Sequence, residues 1–303
     1  METRSILSLS HIKERSKRVK NVTVIANTKK DPTLEVTKKT VSILSKNADA
    51  VYMDKALAYD AQPCVSFVEA DSLFENTEAV ITIGGDGTIL RIAPEICKRS
   101  IPVLGINLGR VGFMAELETN ELELISKLFT SEYIIDSRMM LDIDVVRNGV
   151  KIHSFTALNE VVIMNGSISR MIELDLFCNE SYVSSYHADG LILSTPTGST
   201  AYSLSAGGAV IDPSLECILV TPVCAHSFHN SRPMVFSTSS ELTVKDVRVC
   251  DENTYLTLDG NRNVQLSFGD SVLVKKSQYT TDLARIKTTR FYNTVFTKLS
   301  ERR

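Results

Sequence analysis

Apolar residues in the first 130 positions fall in short continuous runs, separated by polar stretches that carry a helical repeat. Asn21-Val22-Thr23-Val24-Ile25-Ala26 reads as a strand, and a helix opened by Asp31-Pro32 follows with Leu34, Val41, Leu44 and Ala48 on one face. A second strand over Ala79–Ile83 leads into a helix at Thr88-Ile89-Leu90-Arg91-Ile92-Ala93. Ile101–Asn107 is a further strand, and a polar-capped helix is predicted from Thr119 to about Phe129. This alternation predicts a parallel sheet with helices on both faces, whose ligands lie at the carboxyl ends of the strands. From about Tyr133 the period changes to two. Leu141, Ile143 and Val145 alternate with Asp142, Asp144 and Val146, and hairpin signals stand at Asn148-Gly149 and Asn165-Gly166. Further strands are predicted at Met171–Phe177, Leu191–Ser194, Glu216–Val220, Leu242–Val249, Tyr255–Leu258 and Val272–Val274. The expected fold is therefore an α/β N-terminal domain with a parallel sheet and flanking helices, plus a β-rich, sandwich-like C-terminal domain. The expected boundaries are 1–20 for a flexible N-terminal tail, 21–131 for the α/β domain and 132–280 for the β-rich domain. In residues 281–303, Phe291, Val295 and Leu299 have the spacing of a helix that packs back on the body.

Composition narrows the functional classes. With 303 residues, 43% of them hydrophobic and 23% charged, the chain is long enough for two domains and a substantial core. A formal charge of -3 provides no overall attraction to nucleic acid or an anionic membrane, so no nucleic-acid or membrane partner is expected, while small anionic ligands fit. The six cysteines form no Cys-x-x-Cys pair and read as reduced thiols. No apolar run approaches the ~20 residues needed to span a bilayer, and a cytoplasmic protein is expected. The basic opening from Arg4 to Lys20 faintly resembles an organellar presequence, but it contains Glu2 nearby and Glu14 within it.

Candidate chemistry begins at Gly84-Gly85-Asp86-Gly87-Thr88, where a β-type run ends in glycines around a single carboxylate. Glycines let backbone N–H groups approach a ligand closely, and the helix start that follows attracts anions. A carboxylate beside phosphate is unfavourable unless it accepts a proton from an attacking hydroxyl or helps to hold Mg²⁺. The turn thus suits phosphoryl transfer to an alcohol, the alternative being a tight turn in which Asp86 caps the helix. A dinucleotide fingerprint would need glycine at Leu90, and a Walker loop needs a Gly-Lys pair that the chain lacks. The second candidate region is Asp189–Gly208, dense in hydroxyls and glycines. A strand ending at Thr195-Pro196, a turn at Gly198, and a short helix capped by Ser199 and ended by Gly207 would bring many donors and acceptors together.

Taken together these segments resemble the NAD kinase family, in its bacterial form. Gly84–Thr88 is similar to its phosphate motif, Asn159-Glu160 to its short acidic motif, and Thr195-Pro196-Thr197-Gly198-Ser199-Thr200-Ala201-Tyr202 to its most diagnostic run. Supporting similarity lies in Leu104–Phe113, Thr221–Ser227, and Leu258-Asp259-Gly260 with Gly269-Asp270. The first motif alone is shared with lipid kinases and phosphofructokinases. The resemblance implies transfer of phosphate from ATP or polyphosphate to the 2′-hydroxyl of the adenosine ribose of NAD, with Mg²⁺ or Mn²⁺, at a site between the two domains. It implies Asp86 as general base or hydroxyl-orienting group, with Gly84, Gly85, Gly87 and Thr88 along the phosphates. By the same likeness Asn159 and Glu160 would hold adenine and ribose groups, and Thr200, Ala201 and Tyr202, with Thr197 in the same run, would contact adenine and ribose. Asp189 and Ser205 would reach the nicotinamide end, and Phe113 would stack on a ring. A homodimer or homotetramer is expected, because the sheets have edges to protect and members of the family associate.

Some departures from the family pattern stand out. His187 occupies a position near which some members carry arginine for a product 2′-phosphate, and Asn261 follows Asp259-Gly260 where arginine is frequent. His226 and His229 lie three apart, and only Cys224 could extend them toward a metal set, so a structural role is expected. A lipid or sphingoid kinase would need a later Gly-Thr-Gly-Asn-Asp-like segment, which is missing from the sequence. A non-catalytic pyridine-nucleotide sensor would keep the pocket without Asp86 chemistry.

Overall fold

The computed structural model describes residues 12–14, 18–109, 112–166, 171–226, 232–246, 254–287 and 291–300. The chain divides into two compact units, residues 1–137 with 281–303, and residues 138–280.

The first unit contains β1 (Ile12–Glu14), β2 (Asn21–Ala26), α1 (Glu35–Leu44), β3 (Ala50–Asp54), β4 (Val65–Val68), β5 (Ala79–Gly84), α2 (Asp86–Ile96), β6 (Val103–Asn107) and β7 (Leu117–Glu118). Its strands pair in parallel in the order β6-β5-β2-β3-β4. The chain therefore steps outward from β2 through β3 to β4, then returns to place β5 and β6 on the other side of β2. The reversal lies between β2 and β5, where Ala26 is opposite Ile83. Ligands of open α/β sheets bind beyond the carboxyl ends of the strands at such a reversal. The continuous apolar runs are buried on both faces, as parallel strands require, with Val22, Val24, Ile81, Ile83, Leu104 and Ile106 in one core.

Local physics shifts several expected boundaries. Residues Ile12–Glu14, within the stretch expected as a flexible tail, pair antiparallel with Ile134–Asp136, whose backbone groups need a partner. Helix α1 starts at Glu35, because Asp31 accepts hydrogen bonds from the Val36 and Thr37 amides and from the Thr37 hydroxyl. The helix expected at 119–129 is a 3-10 helix over Leu122–Leu128. Its buried residues Leu122, Ile125 and Leu128 recur every third position, which aligns them on one side of a three-residue repeat.

The second unit contains most of β8 (Ile134–Arg147), then β9 (Val150–Ala157), β10 (Glu160–Asn165), β11 (Ile172–Cys178), β12 (Ser181–Ala188), β13 (Gly190–Ser194), α3 (Tyr202–Ser205), β14 (Cys217–Val223), β15 (Met234–Ser237), β16 (Leu242–Asp246), β17 (Thr254–Leu258), β18 (Arg262–Leu266) and the start of β19 (Asp270–Arg285). Among the described residues one sheet has the antiparallel order β15-β14-β13-β10-β17-β18. Val161, Ile163, Leu191 and Leu193 from that sheet share a core with Leu141, Ile143, Leu174, Leu176, Val272 and Val274. This is a two-layer β arrangement. The division between units falls after Ser137, within β8. Strand β12 was not expected; it closes a hairpin whose turn residues Asn179 and Glu180 both have positive φ. The chain ends in α4 (Phe291–Ser300), where Phe291 meets Phe113 at 6.3 Å between ring centres and Val295 is buried. Residues 167–170 after Asn165-Gly166, residues 247–250, and His229 lie outside the described residues.

Candidate active site

In the first unit, β5 ends at Gly84 and α2 begins at Asp86, so the whole glycine turn lies at the sheet reversal. Gly84 has no room for a side chain, since a Cβ there would collide with Thr88 Oγ1 and press on the Asn27 side chain. Gly85 is extended and carries no cap for α2. The Thr88 amide is used by Gly85 O, while the Thr88 hydroxyl is buried without a hydrogen-bond partner among the described residues.

Asp86 does not cap its helix. Its carboxylate reaches the segment after Gly112, where Oδ2 accepts from Phe113 N at 2.7 Å and Oδ1 accepts from Met114 N and Ala115 N, both at 3.1 Å. A side chain at Gly112 would collide with this carboxylate. A carboxylate has about four acceptor positions, so one direction on Oδ2 remains open for a substrate hydroxyl. The receiving segment is itself fixed. Arg285 donates to Met114 O at 3.0 Å and pairs with Glu116 and Asp136, while Glu116 accepts from the Ile286 and Lys287 amides. Phe113, expected to stack on a ligand ring, has Phe291 as its ring neighbour.

In the second unit, Val161, Ile163, Leu191 and Leu193 of the β10–β13 pair enter the shared core, which leaves Glu160 on the opposite face of the pair. Glu160 and Ser194 lie directly across from one another, followed by Val162 with Ile192 and Met164 with Gly190. Ahead of β10, Asn159 O receives the Thr195 amide, and a Cβ at Gly198 would collide with that carbonyl. Thr195 Oγ1 donates to Leu158 O and accepts from Gly198 N. Asp259, in the left-handed region at φ 46, accepts from the successive amides of Leu158, Asn159 and Glu160 at 2.8–3.0 Å. Three polar atoms of adjoining residues are buried without partners among the described residues: Asn159 Oδ1, Glu160 Oε2 and Ser194 Oγ.

Burial, reinforced by the nearby Asp259 carboxylate, pushes the Glu160 carboxyl up to about 8. Burial also raises Asp259, against the lowering effect of its three amide donors. The amides favour the charged form of Asp259, so Glu160 is the member that holds a proton at neutral pH. Glu160 is therefore a donor as well as an acceptor.

The hydroxyl-rich run has a different interior from the one expected. Ser199 does not cap α3; its hydroxyl donates to Pro196 O and accepts from Ile211 N. Thr200 donates to Thr197 O, and Thr197 Oγ1 accepts from the buried Arg138 at 3.3 Å. Ala201, Tyr202 and Ser205 are partly or fully exposed on the α3 turn, and Tyr202 OH approaches Met164 Sδ at 3.6 Å. Burial raises the Tyr202 phenol, with smaller contributions from Cys224 and Asp189. The Cys224 thiol, at φ 49, is raised mainly by its hydrogen bond to Asp189. His187 lies against His226, ring centres 6.2 Å apart, and no cluster of three metal-ligating side chains occurs among the described residues. The sequence reading gave no role to Lys30 or Met164, whose places come from contacts between distant segments.

Residues 22–133 match the model of the ATP-NAD kinase N-terminal domain, and residues 158–286 match that of the ATP-NAD kinase C-terminal domain. The chain belongs to the NAD kinase family. Relatives named NAD kinase include one from Natranaerobius thermophilus, 40% identical over 93% of this chain and 98% of its own length. Another, from Thermoanaerobacter sp., is 37% identical over 94% of this chain and all of its own length. Among solved structures, an NAD kinase from Archaeoglobus fulgidus in complex with ATP superposes with a TM-score of 0.69 at 26% identity, covering 92% of this chain and 98% of that one. The fold is also that of yeast NADH kinase complexed with NADH, with a TM-score of 0.81 at 23% identity over 91% and 86% of the two chains. Members of this family are phosphotransferases, and the lipid-kinase and sensor alternatives are not favoured.

Proposed function

We propose that this enzyme transfers the terminal phosphoryl group of ATP to the 2′-hydroxyl of the adenosine ribose of NAD, giving NADP. The observation that carries the reading is the set of buried, unpartnered Asn159 Oδ1, Glu160 Oε2 and Ser194 Oγ beside the Thr195–Tyr202 turn. Buried polar atoms without partners are costly, and a nucleoside supplies the complementary groups. Asn159 and Glu160 hold adenine and ribose groups, and the Thr197–Tyr202 run lines the same nucleoside. Asp189 and Ser205 reach toward the nicotinamide end, and His187 takes the position that arginine fills in some relatives.

The Gly84–Thr88 turn receives the donor phosphates, with N–H groups at the start of α2 directed at them. Asp86 orients the attacking hydroxyl with the open direction of Oδ2 and takes its proton as the bond to phosphorus forms. The three amides that fix its carboxylate make it a strong orienting group. Mg²⁺ or Mn²⁺ would be held chiefly by the donor phosphates and water, since the three amide contacts and the attacking hydroxyl use the acceptor directions of Asp86. Such an ion neutralises charge on the transferring group.

A cytoplasmic location agrees with the reduced state of Cys64, Cys97, Cys178, Cys217 and Cys224. No helix among the described residues is long and apolar enough to cross a membrane. A homodimer or homotetramer agrees with exposed apolar side chains on sheet edges, Val150 and Ile152 on β9 and Val235 on β15. Incubation with NAD, ATP and Mg²⁺ should yield NADP, and Asp86→Ala should abolish the product while NAD still binds. Absence of NADP from the intact protein under these conditions would refute the reading, and parallel reactions with NADH and with polyphosphate define acceptor and donor.

A further inference from the structure

We propose that Lys30 is a donor-phosphate residue, holding the phosphoanhydride chain against the Gly84–Thr88 turn. The inference deepens the kinase reading and rests on it. Lys30 lies on the loop after β2, the strand that adjoins β5 at the sheet reversal. Its Nζ stands 3.1 Å from the position a Cβ would take on Gly85, so the ammonium lies over the bare face of that glycine.

The loop that carries it is built rather than loose. Lys30 N and Asp31 N both donate to Asn27 O, Lys29 N donates to Asn27 Oδ1, and Asn27 N donates to Ile83 O on the neighbouring strand. Asp31 then anchors the loop to the first turn of α1 through Val36 and Thr37. The lysine is thus delivered by a rigid turn tied to β5 itself. No ion pair forms between its ammonium and a carboxylate among the described residues, whereas Lys39, Lys55, Lys151, Lys276 and Lys287 each pair with one.

Two further features show that the positive charge faces a ligand position. Thr88 Oγ1 is buried, has no partner among the described residues, and lies against Gly84 within the same turn. The nearby Asp86 carboxylate is turned away to the 113–115 amides instead of toward the lysine. An unpaired ammonium, an unpartnered hydroxyl and the start of an eleven-residue helix therefore converge at one glycine turn. Their common complement is a polyanion, either the β- and γ-phosphates of a nucleoside triphosphate or a stretch of inorganic polyphosphate.

The test is steady-state kinetics of the full-length enzyme carrying Lys30→Ala and Lys30→Arg, with ATP and separately with inorganic polyphosphate. Loss of one charge-assisted phosphate contact should raise the KM for the donor by about tenfold or more in Lys30→Ala. The KM for NAD should stay within about twofold, Lys30→Arg should recover most of the donor affinity, and the melting temperature should not move. An effect seen with ATP and with polyphosphate assigns Lys30 to phosphate, and an effect with either donor alone assigns it to phosphate in that donor. Donor KM values within about twofold of wild type in Lys30→Ala, or an equal rise in the KM for NAD, would overturn the proposal. Calorimetric binding of MgATP to wild type and Lys30→Ala reads the same contact without turnover. If the wild-type protein made no NADP, a tenfold weaker MgATP affinity in the variant would still support Lys30, and equal affinities would reject it.

Discussion

Asp86 is immobilised before any substrate arrives, and this separates two contributions usually merged in one acidic residue. Its three amide contacts position the carboxylate, and the remaining Oδ2 direction is left for the hydroxyl. Asp86→Asn keeps the size but sets an NH₂ group against N–H donors. Its kcat should fall by about 10²–10⁴-fold, and urea unfolding should show a loss of roughly 1–3 kcal/mol. A variant that retains more than a tenth of wild-type kcat would assign the acceleration to the surrounding amides and phosphates instead. Glu160 offers a second test through pH. In the unfolded chain its carboxyl ionises near 4.5, and in the folded protein near 8, so between these values the folded state holds the extra proton. Stability from this site is complete below about pH 4.5, declines as the pH rises, and is lost above about 8. Glu160→Gln has no charge to bury. Its melting temperature relative to wild type should therefore climb from pH 5 to about pH 8 and level off above that, and a pH-independent difference would show that Glu160 ionises normally.

Elements place these residues by close approach between segments far apart in sequence. Helix α2 can send Asp86 to the 113–115 amides only because Gly112 presents no side chain there. Gly112→Ala, though it alters no reacting group, should reduce kcat by about tenfold or more with little change in the KM for NAD. Wild-type kinetics in this variant would show that the segment can shift freely and that the clamp is dispensable. The glycine turn was legible in the sequence because glycines around one carboxylate after an apolar run have few structural uses. The clamp was not legible, since Asp86 looks locally like a helix cap and its partners lie 27–29 positions away. The same holds for Asp259, whose amide partners are 99–101 positions distant. In each case the missing information was a tertiary contact and not a local propensity.

For the whole molecule, each unit has its own apolar core, yet the first is built from two separated stretches of chain. The alternation of periods, helical up to about 130 and two afterwards, made both cores legible. The return of the chain through β19 was hidden, because the apolar alternation of Val272 and Val274 breaks off at Ser277 and Thr281, which are buried polar residues in the same strand. That return has a functional consequence. Arg285 at the end of β19 holds Met114 O and Glu116, and Phe291 of α4 packs on Phe113, so the last stretch of chain fixes both ends of the segment that clamps Asp86. Truncation after Lys287 would keep Arg285 and remove the Phe113–Phe291 contact, worth about 0.5–1.5 kcal/mol, together with the burial of Val295, worth about 1.5–3 kcal/mol. The truncated protein should remain folded, with a lower melting temperature and a reduced kcat, while its affinity for NAD changes little. Truncation after Thr280 would also remove the strand that pairs Leu283 with Val103, together with the half-buried Arg285 that neutralises Glu116 and Asp136. Leaving those two carboxylates without their cation is costly, so the first unit should become protease-sensitive while residues 138–280 stay protected. Limited proteolysis followed by mass spectrometry distinguishes the outcomes: uniform digestion of both units would mean that the second core does not persist without the first, and equal resistance of both would mean that the returning strand is not needed to hold the catalytic segment.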